Sequence, residues 1–326
     1  MTSGALNVFN NQPEINYKTS GVSGVLVLDK PEHMTSFAVV SRVRKLLGIR
    51  KVGHCGTLDP FATGVLVICL NAATRISDQL SLQDKLYRFS IHLGLETDTL
   101  DGTGRVVNTF SGHAASEQQV LETIGGYVGP YRQQVPRYAA VKVQGRRLYE
   151  LTRKGIEVEL PTRDICVHRL ELLGYNWPVA VMEVHCSKGA YVRQLAADIG
   201  RELGCGAHVT SLRRLASGSF DIARAISLEE LKQVSRTGDA WHGRLISLSE
   251  ALAHLPALVI EDQRVLSGLA NGRLDAAWQS CNRRYVGGEN PVRLLAGSGR
   301  LLALWWPECS DDSDPKGRLR VFCWQA

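Results

Sequence analysis

Apolar residues come in short runs separated by polar turns, and their period changes along the chain. Val25-Leu26-Val27-Leu28 is unbroken and precedes Asp29-Lys30-Pro31, which predicts a buried strand closed by a turn. Phe37, Val40, Val43, Leu46 and Leu47 follow helical spacing behind two capping candidates, Thr35 and Ser36. Gly48 stands where a left-handed residue ends a helix. Residues 49–64, rich in Gly, Thr and Asp, read as a loop, and Val65 to Leu70 as a second buried strand. From Lys85 to Leu93 the period drops to two, with Tyr87, Phe89, Ile91 and Leu93 on one face of a strand. Helices are expected over 115–124 and from Ala190 to Leu203, ending at Gly204. Further strands are expected from Ala180 to Cys186 and within His208 to Phe220. This interspersion predicts an α+β, mixed α/β catalytic fold.

The two ends of the chain differ from its middle. Residues 1–22 carry no apolar period and read as a flexible tail. After about residue 245 short apolar runs recur at Pro256 to Ile260, Arg300 to Trp306 and Arg318 to Trp324, with a turn over Ser310 to Pro315. This predicts a small, mostly β domain. The chain therefore divides into a tail (1–22), a catalytic domain (23–245) and a C-terminal domain (246–326), consistent with 326 residues at about 150 per domain.

Composition narrows the class. No run approaches the roughly 18 apolar residues that span a bilayer, and the first residues lack a secretory pattern, so a cytoplasmic protein without a membrane partner is expected. The net charge of +6 permits an anionic partner. The eight cysteines include no C-x-x-C pair, so reduced thiols are expected, with neither disulfide nor metal.

The densest stretch is Lys51 to Gly64, KVGHCGTLDPFATG. It lacks the Gly-Lys-Ser/Thr ending of a phosphate-binding loop and the G-x-S-x-G of a serine-hydrolase elbow. By residue type alone, Asp59 in this Gly/Pro-containing loop is a turn former. In sequence, however, Gly53 to Leu66 resembles the second motif of the TruB-type tRNA pseudouridine synthases. Other motifs of that family follow in order: GVLVLDKP (24–31), KLYR (85–88), TDTLDG (97–102), QVPRYAAVKVQGRRLY (134–149), HCSKGAYVR (185–193) and GCGAH (204–208). The resemblance runs from residue 24 to about 220.

It implies a pseudouridine synthase fold with a large mixed, mostly antiparallel sheet, followed by a PUA-like C-terminal domain. The implied reaction isomerises uridine at position 55 in the T-loop of tRNA. The base must be flipped out of its stack, at a cost of a few kcal/mol. Asp59 takes the place of the family nucleophile, adding at C6 of the base or C1′ of the ribose. Arg193 takes that of its arginine partner, since a neighbouring guanidinium favours a charged carboxylate. Tyr87 matches the tyrosine that stacks on the base and receives the C5 proton. Lys30, His54, Tyr138, Lys142, Arg146, Arg147, Tyr191 and Leu212 are assigned to substrate RNA, with Lys30 also read as support for the active-site wall. The RNA-gripping insertion spans about 130–160. From Arg137 to Arg163 seven basic residues face three acidic ones, a surplus suited to phosphate contacts.

The isomerisation has no redox step and consumes no second substrate, so neither metal nor organic cofactor is implied. tRNA is the expected partner, through the T-arm and, by way of the C-terminal domain, the acceptor stem. A monomer without guide RNA is expected. Two alternatives stand beside this reading: a tRNA-remodelling protein that needs no catalysis, and a guide-RNA-dependent relative. A tRNA-folding role is compatible with the enzyme. Two departures from the family pattern, Cys55 and Ala139, bear on fine positioning.

Overall fold

The computed structural model describes residues 21–143, 145–156, 158–282, 290–307 and 318–322, apart from the side chains of Lys142, Arg147, Arg153 and Asp239. Residues 1–20 of the expected tail and the turn expected over Ser310 to Pro315 lie outside this description.

In chain order the first half contains β1 (Gly24–Lys30), α1 (Ser36–Leu47), β2 (Val52–Cys55), β3 (Thr63–Leu70), α2 (Ser77–Ser81), β4 (Lys85–Leu93), β5 (Leu95–Thr97), β6 (Val106–Thr109), α3 (Glu117–Gly125), β7 (Gly129–Gln134), β8 (Lys142–Val143), β9 (Arg146–Arg147) and α4 (Leu148–Arg153). The second half contains β10 (Thr162–Asn176), β11 (Val179–Cys186), α5 (Val192–Glu202), β12 (Ala207–Ser217), β13 (Phe220–Asp221), α6 (Leu228–Arg236), α7 (Leu248–Ala251), β14 (Ala257–Ile260), α8 (Gln263–Ala270), α9 (Ala276–Cys281), β15 (Val292–Ala296), β16 (Leu301–Trp306) and β17 (Arg318–Val321).

Nine strands form one sheet in the order β1-β3-β12-β4-β11-β10-β7, with β2 on β3 and β13 on β12. Every pairing is antiparallel except β3 with β12, where Arg213 lies opposite Thr63 and Arg214 opposite Gly64. That parallel junction joins the two halves of the sheet. It requires glycine at position 64, because a Cβ there would lie 2.2 Å from the Arg214 carbonyl oxygen.

β4 has the alternation its sequence predicts. Tyr87, Phe89, Ile91 and Leu93 are buried in one core with Met182 and Val184 of β11 and Leu195 and Ile199 of α5. β1 and β3 are buried on both faces, which explains their unbroken apolar runs. Leu26, Leu28, Leu66 and Ile68 pack towards α1, while Val25, Val27, Val65 and Val67 pack towards α7 and β16.

Three local expectations are corrected. Residues 49–64 are not all loop: β2 pairs with β3 and leaves only residues 56–62 between them, because Val52 and Cys55 have buried sites to fill. Phe37 lies on the outer side of α1 and is exposed, whereas Ser36 and Val39 face the core; the capping by Thr35 and the left-handed Gly48 are as expected. The C-terminal part has a four-stranded sheet, β14-β15-β16-β17, but also α8 and α9. These helices form the crossover that lets β14 and β15 pair in parallel. Trp305 is core, and Trp306 lies beneath the guanidinium groups of Arg318 and Arg320.

Candidate active site

Where β3 parts from β2, residues 56–62 cross the end of the sheet. Side chains from four other elements hold this loop. Arg214 of β12 donates to the Gly56 carbonyl at 3.0 Å. Ser36 of α1 accepts from the Leu58 amide at 2.9 Å and donates to its carbonyl. Lys30 of β1 donates to the Pro60 carbonyl at 3.1 Å. Arg193 of α5 takes the Asp59 carboxylate itself through two bonds, Nε to Oδ2 at 2.8 Å and Nη2 to Oδ1 at 3.1 Å. A carboxylate at the tip of a turn thus becomes a fixed group.

Arg193 is buried and fully engaged. It also donates to the carbonyls of Thr99 (2.8 Å) and Tyr138 (3.3 Å), and its Nη1 lies 3.5 Å from Oδ2 of Asp101. Asp101 is buried too, and its Oδ1 accepts from the Thr103 amide and the Thr99 hydroxyl. One guanidinium therefore serves two carboxylates, of which only Asp59, about one-third exposed, reaches open space.

That space is a cleft of about 360 Å³. Asp59, Tyr87, Tyr138, Tyr191, Arg193 and Leu212 all line it. Tyr87 is buried, which raises its hydroxyl pKa, while the Arg214 charge acts the other way. Tyr191 is braced by Gln133, which accepts from its amide and donates to its carbonyl, and Arg163 lies over its ring. Burial raises the Tyr191 hydroxyl as well.

Lys30 does not belong with the RNA contacts. It is fully buried, and its ammonium donates to the carbonyls of Pro31, Met34 and Pro60, so all its protons serve the wall under the loop. Burial lowers its pKa to about 8. His54 sits on β2 outside the cleft lining, and its Nδ1 has no hydrogen-bond partner among the described residues. Burial and then the Arg214 charge lower its pKa. Arg146 is exposed on the β8–β9 hairpin. The side chains of Lys142 and Arg147 lie outside the description, although their backbones pair in that hairpin.

Three residues near the site were absent from the sequence-derived set: Asp101, Lys85 and Arg214. Lys85 and Arg214 are buried cleft-lining cations. Lys85 donates to the carbonyls of Ser81 and Gln83, and burial lowers its pKa to about 8. The sequence carried a signal for Asp101, inside the TDTLDG motif, and for Lys85, inside KLYR, but not for Arg214. Among the described residues, no group of three or more His, Cys, Asp or Glu could hold a metal ion.

The same architecture occurs in solved structures. The chain aligns over 91% of its length, with a TM-score of 0.66 and 24% identity, to 82% of a chain in an H/ACA RNP bound to a substrate RNA containing 2′-deoxyuridine. It aligns over 92%, with a TM-score of 0.67 and 25% identity, to 84% of a chain in a Cbf5-Nop10-Gar1 complex. Fold and site together define a pseudouridine synthase catalytic domain. Residues 44–192 match the N-terminal domain of the TruB family pseudouridylate synthases, and residues 193–253 the tRNA pseudouridylate synthase B C-terminal domain. The chain is 56% identical over 301 residues to tRNA pseudouridine synthase B of Syntrophobacter fumaroxidans, covering 92% of this chain and 97% of the relative. It is 43% identical over 310 residues to the protein of that name from Geobacter sulfurreducens, covering 92% and 100%. The chain belongs to the TruB family.

Proposed function

We propose that this chain isomerises uridine to pseudouridine at position 55 in the T-loop of tRNA, with Asp59 as the nucleophile. The observation that carries this reading is the Asp59 carboxylate, locked by Arg193 and presented to a cleft lined by Tyr87, Tyr138, Tyr191 and Leu212. The uridine is flipped into the cleft, and Asp59 adds at C6 or C1′. The N1–C1′ bond breaks and the base turns. C5 then bonds to C1′, the bond to Asp59 breaks and regenerates its carboxylate, the proton on C5 leaves, and N1 gains one. Tyr87 stacks on the base and receives the C5 proton, while Leu212 and Tyr191 bound the pocket. His54 helps to hold the flipped T-loop. Tyr138, Lys142, Arg146 and Arg147 belong to the insertion that grips the T-arm, where phosphate contacts supply affinity.

The same reading makes 23–245 the catalytic unit and 246–326 a PUA-like unit at the acceptor stem. The enzyme works in the cytoplasm as a monomer, without guide RNA, metal or organic cofactor, and unfolding the T-loop also lets it assist tRNA folding. Among the described residues no helix is long and apolar enough to cross a membrane.

The test is tritium release from an unmodified tRNA transcript labelled at C5 of uridine. Release by wild type, lost with Asp59→Asn and lost when position 55 is cytidine, is the expected result. No release despite tight tRNA binding would favour the remodelling protein instead.

A further inference from the structure

We infer that Arg214 is a positioning residue for this reaction, placing its charge beside Tyr87 and bracing the loop that carries Asp59, so that base and nucleophile are set by one guanidinium. The inference rests on the proposed roles of Tyr87 and Asp59.

The geometry is local and specific. Arg214 lies directly opposite Tyr87 in the β4–β12 pairing and opposite Gly64 in the β12–β3 pairing. With Arg213, which pairs with Arg88 and Thr63, it forms the short stretch of β12 shared by the strand of the tyrosine and the strand behind the aspartate loop. Its side chain is 1% exposed. Nε donates to the Val65 carbonyl at 2.7 Å and Nη2 to the Gly56 carbonyl at 3.0 Å, and Arg214 and Tyr87 line the same cleft. Gly56 lies three residues before Asp59, and Val65 lies in the buried stretch of β3 behind it.

Bracing a loop through carbonyls needs donors, not a charge. Yet the site keeps a full positive charge here, with no carboxylate in ion-pair contact among the described residues, beside a second buried cation, Lys85. Burying an unpaired charge is costly, and a like charge nearby raises the cost. The guanidinium has a use once a base is required at Tyr87. When C5 has bonded to C1′, the C5–H bond must break: its proton passes to the tyrosine oxygen and its electron pair restores the C5–C6 double bond, as Asp59 leaves C6 in one route or as the C6–N1 pair moves to N1, which takes up a proton, in the other. Burial opposes an ionised tyrosine, whereas the Arg214 charge favours it. The same guanidinium is anchored on the Asp59 loop through the Gly56 carbonyl.

The experiment compares single-turnover conversion of tRNA carrying protium or deuterium at C5 of the target uridine. The proteins are full-length wild type, Arg214→Gln and Arg214→Lys. In wild type, proton removal follows the slow steps and no isotope effect is expected. Arg214→Gln keeps donors but not the charge; it is expected to slow conversion by about 100-fold, within the range of general-base contributions, and to reveal a primary deuterium isotope effect. tRNA affinity should stay near that of wild type. A slower variant without an isotope effect would make Arg214 a loop brace only, and an unchanged rate would remove it from the reaction. If Arg214→Gln does not fold, Arg214→Lys is read by the same two criteria, since an ammonium cannot both hold the Gly56 carbonyl and set its charge at Tyr87. Wild-type conversion in the same assay keeps the proposed function separate: its absence would overturn that reading, not the role of Arg214 alone.

Discussion

Asp59 and Arg193 are 134 positions apart in the chain and meet through two hydrogen bonds of 2.8 and 3.1 Å. The pair is asymmetric. Arg193 is buried and also faces Asp101, which is buried as well, whereas Asp59 reaches the cleft. Losing the aspartate leaves the arginine with a second carboxylate and two carbonyls. Losing the arginine leaves two carboxylates, the cleft-facing Asp59 and the buried Asp101, without their cation.

The two halves of the pair should therefore fail differently. Asp59→Asn is expected to abolish tritium release while changing unfolding free energy by less than about 1 kcal/mol, since hydrogen bonds to Arg193 remain available. Arg193→Met should cost about 3–5 kcal/mol, the range for breaking a buried pair. Urea unfolding of both variants checks this. Equal losses would mean that Asp101 does not hold Arg193 when Asp59 is gone.

A second expectation concerns the loop behind Asp59. The Ser36 hydroxyl is buried, accepts from the Leu58 amide and donates to the Leu58 carbonyl. Ser36→Ala removes both bonds and leaves both backbone groups unsatisfied, at about 1–3 kcal/mol. Because Leu58 adjoins Asp59, turnover should fall along with stability while tRNA affinity is kept. Full activity at reduced stability would show that the loop holds its geometry without α1.

These two cases show what the sequence could and could not reveal. β4 was legible because its alternation is set by one buried face, and α1 because Thr35 and Gly48 mark its ends. The site residues of the ordered motifs were legible as a set. β2 was obscured because its four residues, Val52 to Cys55, carry a glycine and a histidine, which read as loop until β3 supplies a partner. Lys30 is a surface residue by type; its motif suggested a wall role, and its cage of three carbonyls shows that it is buried there. Arg214 follows Arg213 in the chain, yet the two lie on opposite sides of β12. Arg213 pairs with Asp29 at 2.6 Å, and Arg214 turns into the cleft wall. No local pattern distinguishes them.

Lys30 also yields a pH dependence. Burial lowers its folded pKa to about 8, whereas an unfolded lysine titrates near 10.4. Between these values the unfolded chain binds more protons than the folded one, so this group makes stability rise with pH. Below about 8 both states hold the proton, and the lysine contributes no slope. Urea unfolding of wild type and Lys30→Met at pH 7.5 and 9.5 isolates the effect. Wild type is expected to gain relative to the variant at the higher pH, and a relative loss would mean that the carbonyl cage favours the charged form more than burial opposes it.

The hairpin of β8 and β9 brings the affinity question to one measurable slope. Arg146 is exposed there, and the stretch from Arg137 to Arg163 holds seven basic against three acidic residues. If these cations meet phosphates, each contact releases condensed counterions, and log affinity falls with log salt by roughly 0.7–0.9 per phosphate neutralised. Replacing both Arg146 and Arg147 with alanine should weaken tRNA binding and flatten that slope by about 1–2 units. Because such contacts position the RNA without reading bases, the loss should be similar for tRNAs that differ outside the T-loop. Asp59 and Arg193 are untouched, so the single-turnover rate at saturating enzyme should stay close to wild type. An unchanged slope with weaker binding would mean that the hairpin acts by shape, while an unchanged slope with unchanged binding would place the RNA on another face of the protein.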